Sequence, residues 1–413
     1  MQIFAMGILV VQLAAREGRP ELAPFYLGLV GLARAVPGLA LTLVAGALAD
    51  RVDRRKLLLV TQSSMAANAA GLALVTYFGA ASLWIVLAAS VVQSATFAFD
   101  NPARQSMIPR IVPIPLLPSA IGLQSAAFNG ASIIGPLLGG LLYVPIGIAG
   151  LLAANALSFA SIILALLAML PLAPAVASPS HSLLASVIEG ARYTRRNPAL
   201  VWILTLSATV FIAAGPANAL LPAVAGESVL YGVSWLSVLL SAMGLGAFVG
   251  ALVVMKIGRV RSLGRVFAFA AAANGLTLGL FAVSSHPAVA LAFVFATGLT
   301  GTVTAGMGNN MLQATTSDAY RGRVMSLWGI LFIGGMPAGQ LALGMLGSIL
   351  GIQAALFFGG VVTLAAGVYG LTRVAVVREW RRPKREPAVT KPGRIDQAAA
   401  GVPTITAGEA KVK

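Results

Sequence analysis

The chain has 413 residues, 58% of them apolar and only 10% charged, and a formal net charge of +16. Soluble domains carry about 25% charged residues, so this chain has too few to coat a water-facing surface. With no cysteine and only two histidines, His181 and His286, it offers no disulfide, no thiolate nucleophile and no histidine-rich metal site.

A helix needs about 20 mostly apolar residues to cross roughly 30 Å of hydrocarbon. The first apolar stretch, Met1–Ala15, covers only about 22 Å at 1.5 Å per residue. It lacks the basic leader of a signal peptide. It reads as a truncated first helix whose reading frame continues upstream. Eleven longer spans follow: Phe25–Ala49, Leu57–Phe78, Leu83–Phe99, Ala120–Tyr143, Ile148–Leu170, Leu200–Leu221, Ser234–Met255, Val266–Val283, Ala288–Met307, Met325–Leu346 and Ile349–Leu371. Between the fifth and sixth of these lies a segment rich in proline, alanine and serine that turns amphipathic and basic at SVIEGARYTRRNP. It reads as a linker with one surface helix. After Arg373 the tail is basic, then polar, with disorder expected beyond about Pro387. The division is 1–170 and 200–373 for two helical bundles, 171–199 for the linker and 374–413 for the tail.

Of the 28 lysines and arginines, all but Arg16, Arg19 and Arg34 fall on one side of these spans. This is the positive-inside bias, and it places the C-terminus in the cytoplasm. It also removes the nucleic-acid reading of the net charge, because the basic residues alternate with apolar spans and form no single patch.

The two halves echo one another in order. A basic turn follows the second span of each half, at Gly46–Lys56 and Gly250–Arg261. A polar stretch ends the fourth, FDNPARQSMIPR and GNNMLQATTSDAYRGR. Glycines and a proline mark the fifth, Gly135, Pro136, Gly139 and Gly140 against Gly334, Gly335, Pro337 and Gly339. Internal duplication of this kind is a mark of transporters built from two related bundles. Gly244, Gly246 and Gly250 superficially suggest a nucleotide loop, but they lie inside an apolar span and follow no strand.

The sharpest motif is Gly46-Ala-Leu-Ala-Asp50-Arg51-Val-Asp53-Arg54-Arg55-Lys56. It resembles the signature between helices 2 and 3 of the major facilitator superfamily, with Asp53 where glycine is frequent. FDNPARQSMIPRIVP, ASIIGPLLGG and AYRGRVMSLWG resemble the branch that holds enterobactin exporters and macrolide efflux proteins. The resemblance implies an all-α polytopic membrane protein with the major facilitator fold, two pseudo-symmetric six-helix bundles, the first helix truncated. It implies a secondary transporter of the plasma (inner) membrane, an exporter of amphipathic drugs or siderophores. It further implies no enzymatic activity, no cofactor and no metal. The partners are a small-molecule substrate, the lipid bilayer and a proton as coupling ion, with no nucleic acid, and the protein is a monomer. A permease subunit or a non-transporting membrane scaffold is the alternative.

Individual residues carry both a plain and a functional reading. Gly46, Asp50, Arg51, Arg54 and Arg55 are a gate in the family reading, with Asp50 at the dipole of a facing helix and the arginines on carboxylates; the plain reading is a basic loop. Asp100 and Arg104 form either a local helix-end pair of little weight or an extension of that gate. Gly135, Pro136, Gly139 and Gly140 resemble the helix-5 motif of antiporting members, although Ala131 stands at its leading glycine. Otherwise they serve ordinary packing. Arg34 sits mid-span, where a charge faces a cavity or a partner. The amides Gln12, Asn68, Gln93, Gln124, Asn129, Asn155, Asn218, Asn274 and Gln340 are mostly packing contacts. In the family helices 1, 4, 7 and 10 line the cavity, which singles out Gln12, Gln93 and Asn218.

Overall fold

The structure is a computed structural model that describes residues 1–49, 52–169, 183–227, 232–257, 262–374 and Trp380. Asp50, Arg51, the proline-rich start of the linker and nearly all of the tail, including its expected disorder, lie outside these. Residues Met1–Arg382 form one compact unit.

Within the described residues every regular element is a helix. They are α1 (Gln2–Arg16), α2 (Ala23–Ala49), α3 (Arg54–Tyr77), α4 (Leu83–Ile111), α5 (Leu117–Ala168), α6 (Leu183–Arg195), α7 (Pro198–Ala213), α8 (Ala217–Glu227), α9 (Gly232–Ile257), α10 (Leu263–Ala282), α11 (Pro287–Thr315), α12 (Arg321–Leu350) and α13 (Ile352–Thr372), with two short 3-10 turns. Ten helical stretches are long and apolar enough to cross a membrane, and α1 is shorter. Helix starts are chemically marked. Asp53 accepts from Arg55 N at 2.9 Å to cap α3, and Asn197 precedes Pro198 at the start of α7 in the same way. Asp53, the departure from the family motif, is therefore a cap.

Two sequence expectations are corrected, in α4 and in the span Leu200–Leu221. The fourth span, read as Leu83–Phe99, is longer: α4 continues through Pro102 and Pro109 to Ile111. The spans read as Ala120–Tyr143 and Ile148–Leu170 are the two arms of α5, which is broken at Gly147 with φ 64° and ψ −172°. Only glycine takes that conformation without strain. At 52 residues, α5 would reach about 78 Å if straight, far more than a bilayer needs; the break turns it into a hairpin. Finally, the span Leu200–Leu221 is interrupted at Ala214–Pro216, which separates α7 from α8. The surface helix expected in the linker is α6.

The molecule thus has two ends. One bears the tight turns at Gly18, Gly79, Gly147 and Gly351, all with positive φ. The other, the basic end, bears the α3 start, α6 and the α11–α12 turn. At the turn end a single apolar core draws from both halves, with Phe4, Leu9 and Leu151 beside Leu220, Leu239 and Leu356. At the basic end the buried residues, among those described, divide. Leu58, Ala103, Met107 and Leu166 form one cluster from α3–α5. Ile203, Phe267, Met307 and Trp328 belong to another from α7–α13.

Candidate functional site: the seam between the halves and the polar groups beside it

Close approach of backbones builds the seam between halves. A methyl group added at Gly28 on α2 would lie 2.9 Å from Leu341 Cα on α12. One added at Gly31 would collide with Gln340 Oε1. Gln340 Nε2 in turn donates to Leu27 O at 2.7 Å, so an amide of one half is fastened to the backbone of the other. On the opposite side Ser241 Oγ on α9 donates to Ile133 O on α5 at 3.1 Å. At the turn end, Gly7 of α1 receives Pro222 of α8, where an added methyl would fall 2.5 Å from the proline ring.

Of the helix-5 glycines, Gly140 serves this seam, while Gly135 and Gly139 pack α5 on α1 within the first half. Gly139 faces the ring of Phe4 on α1, which a methyl group there would approach to 2.8 Å. Gly140 faces Ser237 on α9, while Gly135 lies beside the start of α1. Pro136 sits inside α5 between them. Each larger side chain here would push a helix away.

Polar groups occupy the interior at mid-depth. Gln93 on α4 and Gln2 on α1 bond reciprocally, with Gln93 Nε2 donating to Gln2 Oε1 at 2.8 Å. Asn155 of α5 donates to the same oxygen at 3.2 Å. The α4 site lies about 15 Å from the helix start, the middle of a bilayer. Gln12 donates to the Tyr143 hydroxyl at 3.3 Å nearer the turn end. Arg34 is about 16 Å into α2. Its backbone carbonyl accepts from Ser94 on α4, and its side chain is half-buried on the face opposite exposed Val36. Among the described residues no carboxylate pairs with it. Asn218 is exposed on α8 and joins none of these groups. Asn129's side chain lies outside the described part.

At the basic end Asp100 is 0% exposed. It accepts from Thr61 Oγ1 at 3.0 Å, from Gln62 Nε2 at 2.6 Å and from the Arg104 guanidinium. Because α4 runs on to Ile111, this is a buried junction of α3 with α4, not a helix-end pair. Removing one partner of such a group strands the others. Arg55 donates to Leu166 O at 2.6 Å and Leu167 O at 2.7 Å, covering orphan carbonyls at the end of α5. Arg54 reaches Ser106 O on α4 at 3.4 Å. These bonds of Arg54, Arg55, Asp100 and Arg104 stay within one half. Gly46 lies on α2, but Asp50 and Arg51 lie outside the described residues, so the gate expected there has no described geometry. Thr61, Gln62, Gln2 and Tyr143 were not singled out from sequence. A polar residue one or two positions from a span's end, or an amide in an apolar run, was the available signal.

A family model described as "Transmembrane secretion effector" matches residues 17–393. The chain belongs to this family of major facilitator transporters. It is 27% identical over 360 residues to an enterobactin exporter of Shigella boydii serotype 4 (strain Sb227), covering 86% of this chain and 85% of that one. An enterobactin exporter of Escherichia coli O139:H28 (strain E24377A / ETEC) matches at 27% over 359 residues, with 86% and 85% covered. Among solved structures, a peptide transporter POT in complex with sulfate superposes with a TM-score of 0.71 at 15% identity, over 92% of this chain and 93% of that one. A mutant of the nucleoside transporter NupG gives 0.66 at 14%, over 90% and 98%. These structures share the fold. The protein is a multi-pass transporter embedded in the membrane and acting on a small molecule.

Proposed function

We propose that this protein is a secondary active exporter of amphipathic small molecules that works by alternating access in the inner (plasma) membrane. The observation that supports this best is the contrast between its ends: one core shared by both halves at the turn end, and, among the described residues, separate cores at the basic end. With the basic end in the cytoplasm, as the positive-inside rule favours, this is a form open to the cytoplasm and ready to load. The bodies that rock are 1–170 and 200–373, joined by the 171–199 linker, with 374–413 as a cytoplasmic tail. In the opposite state Asp50 would seat at the N-terminus of α12, where the dipole favours a carboxylate.

Arg34 is the proposed anchor for an anionic group of the substrate. A guanidinium at mid-membrane costs about 2.5–3.5 kcal/mol on insertion scales, a cost that an anionic cargo would offset. Gln93, Gln2 and Asn155 supply hydrogen bonds at the same depth. The enterobactin exporters among the relatives favour a siderophore over a drug, and a proton gradient is the proposed driving force.

Everted vesicles bearing the full chain test this with labelled enterobactin. Accumulation that a protonophore abolishes and Asp50→Asn impairs is expected. Accumulation that persists with the gradient collapsed would remove the coupling. With no native cysteine, a single cysteine at Gln105 should react with an impermeant maleimide from the basic side and one at Leu220 should not. Equal labelling of both would remove the orientation and the open form together.

A further inference from the structure

The linker helix α6 carries chemistry that the transport cycle leaves unused. One of its faces is fixed. Glu189 pairs with Arg323 at 2.9 Å, and Gly190 lies against the Arg323 carbonyl. Tyr193 stacks on Tyr320 with ring centroids 4.3 Å apart, and Thr194 is buried. The helix is therefore held at one rotation about its axis on the start of α12.

The opposite face presents Ile188, Arg192, Arg195 and, just past the helix, Arg196, all exposed. With Ala191 they line a shallow, largely open patch along α6. Arg192 lies three residues before Arg195 and four before Arg196, so its guanidinium neighbours both, where like charges repel. Among the described residues none of them forms an ion pair. Glu189 is taken by Arg323 and Asp318 by Arg321. The patch runs up to the start of α7, whose Leu200 is already fully buried, so it lies at the boundary between helix bundle and water.

Three donors in forks suit a phosphate more than a single carboxylate. Ile188, 51% exposed, and Ala191 add an apolar shoulder that a free phosphate cannot use. We propose that this exposed face of α6 binds an anionic glycerophospholipid of the adjacent leaflet, the arginines taking the headgroup phosphate and Ile188 with Ala191 flanking the first methylenes. Anionic headgroups attract surface basic residues by an amount that grows with each one. The clamped face of α6 makes this a defined site, not a diffuse attraction.

The test uses the purified full chain in neutral detergent, titrated with phosphatidylglycerol, phosphatidylcholine or inorganic phosphate while bound lipid is followed by native mass spectrometry. Saturable binding of phosphatidylglycerol is expected, weakened roughly tenfold to a hundredfold by Arg192→Gln/Arg195→Gln/Arg196→Gln and unaffected by Arg381→Gln/Arg382→Gln in the tail. Should the triple variant fail to fold, Ile188→Glu places a like charge beside the phosphate and should weaken binding severalfold. Wild-type binding in the α6 variants, loss in the tail variant, equal retention of phosphatidylcholine, or displacement of the lipid by inorganic phosphate would each overturn the proposal.

Discussion

The two ends of the molecule are drawn from the same apolar composition but are held in different ways. At the turn end the halves meet mainly through apolar side chains such as Leu9, Leu220 and Leu239, with two hydrogen bonds, Gln340 to Leu27 O and Ser241 to Ile133 O, to break when they part. At the basic end the described polar bonds of Asp100, Arg54 and Arg55 run within one half. The contrast teaches where movement is cheap. A surface of apolar contacts and glycine notches can open and re-form, whereas a buried carboxylate with three donors keeps α3 and α4 together. A half can then move as a unit.

The comparison can be broken most sharply at Asp100. Asp100→Ala should cost about 3–5 kcal/mol, because Thr61, Gln62 and Arg104 lose their common acceptor. Asp100→Asn should recover part of this. An unchanged melting temperature in detergent for the alanine variant would show that this network does not bind α3 to α4. At the seam, Gly31→Ala should cost about 1–3 kcal/mol by driving Gln340 from its place. Pairing it with Gln340→Ala should return much of the loss, and additive losses would mean that the two positions do not touch. Arg34→Gln should leave the melting temperature unchanged or raised while lowering transport about tenfold, close to 1.4 kcal/mol; full transport would remove Arg34 from the substrate site. The smallest effect is expected for Arg55→Lys, which gives up one of two carbonyl bonds at roughly 0.5–1.5 kcal/mol. A loss as large as that of Asp100→Ala would mean that the end of α5 is also a main fastening.

The transmembrane spans were legible because a run of about 20 apolar residues has few other uses, and α6 because its amphipathic basic pattern stood between two such runs. The length of α4 was not. Its last turns, Asp100–Ile111, are polar and carry Pro102 and Pro109, both signals of a loop. They stay helical because Asp100 is satisfied by α3 and Ala103 and Met107 are buried against it. That information is tertiary and has no local trace. Likewise Gln12 and Gln93 were readable as interior amides, but their partners Tyr143 and Gln2 lie 131 and 91 residues away. Asn218 shared the same local signal and proved to be exposed on α8, since a lone amide does not say which way its helix is turned. Gly147 was hidden between Pro145 and an apolar run, where nothing distinguished a sharp reversal from an ordinary loop.

The interruption between α7 and α8 has a consequence for the helices around it. Where a helix stops inside a bilayer, its last carbonyls face hydrocarbon unless something shields them. Here the oxygens of Ile212 and Ala213 are met by Gly339 of α12 and Gly359 of α13, each so near that no side chain fits between. These neighbours act as lids on exposed peptide dipoles, and they need not be glycine for any reason of their own. The cost of the break at Ala214–Pro216 is thus written into two other helices, more than a hundred residues along the chain.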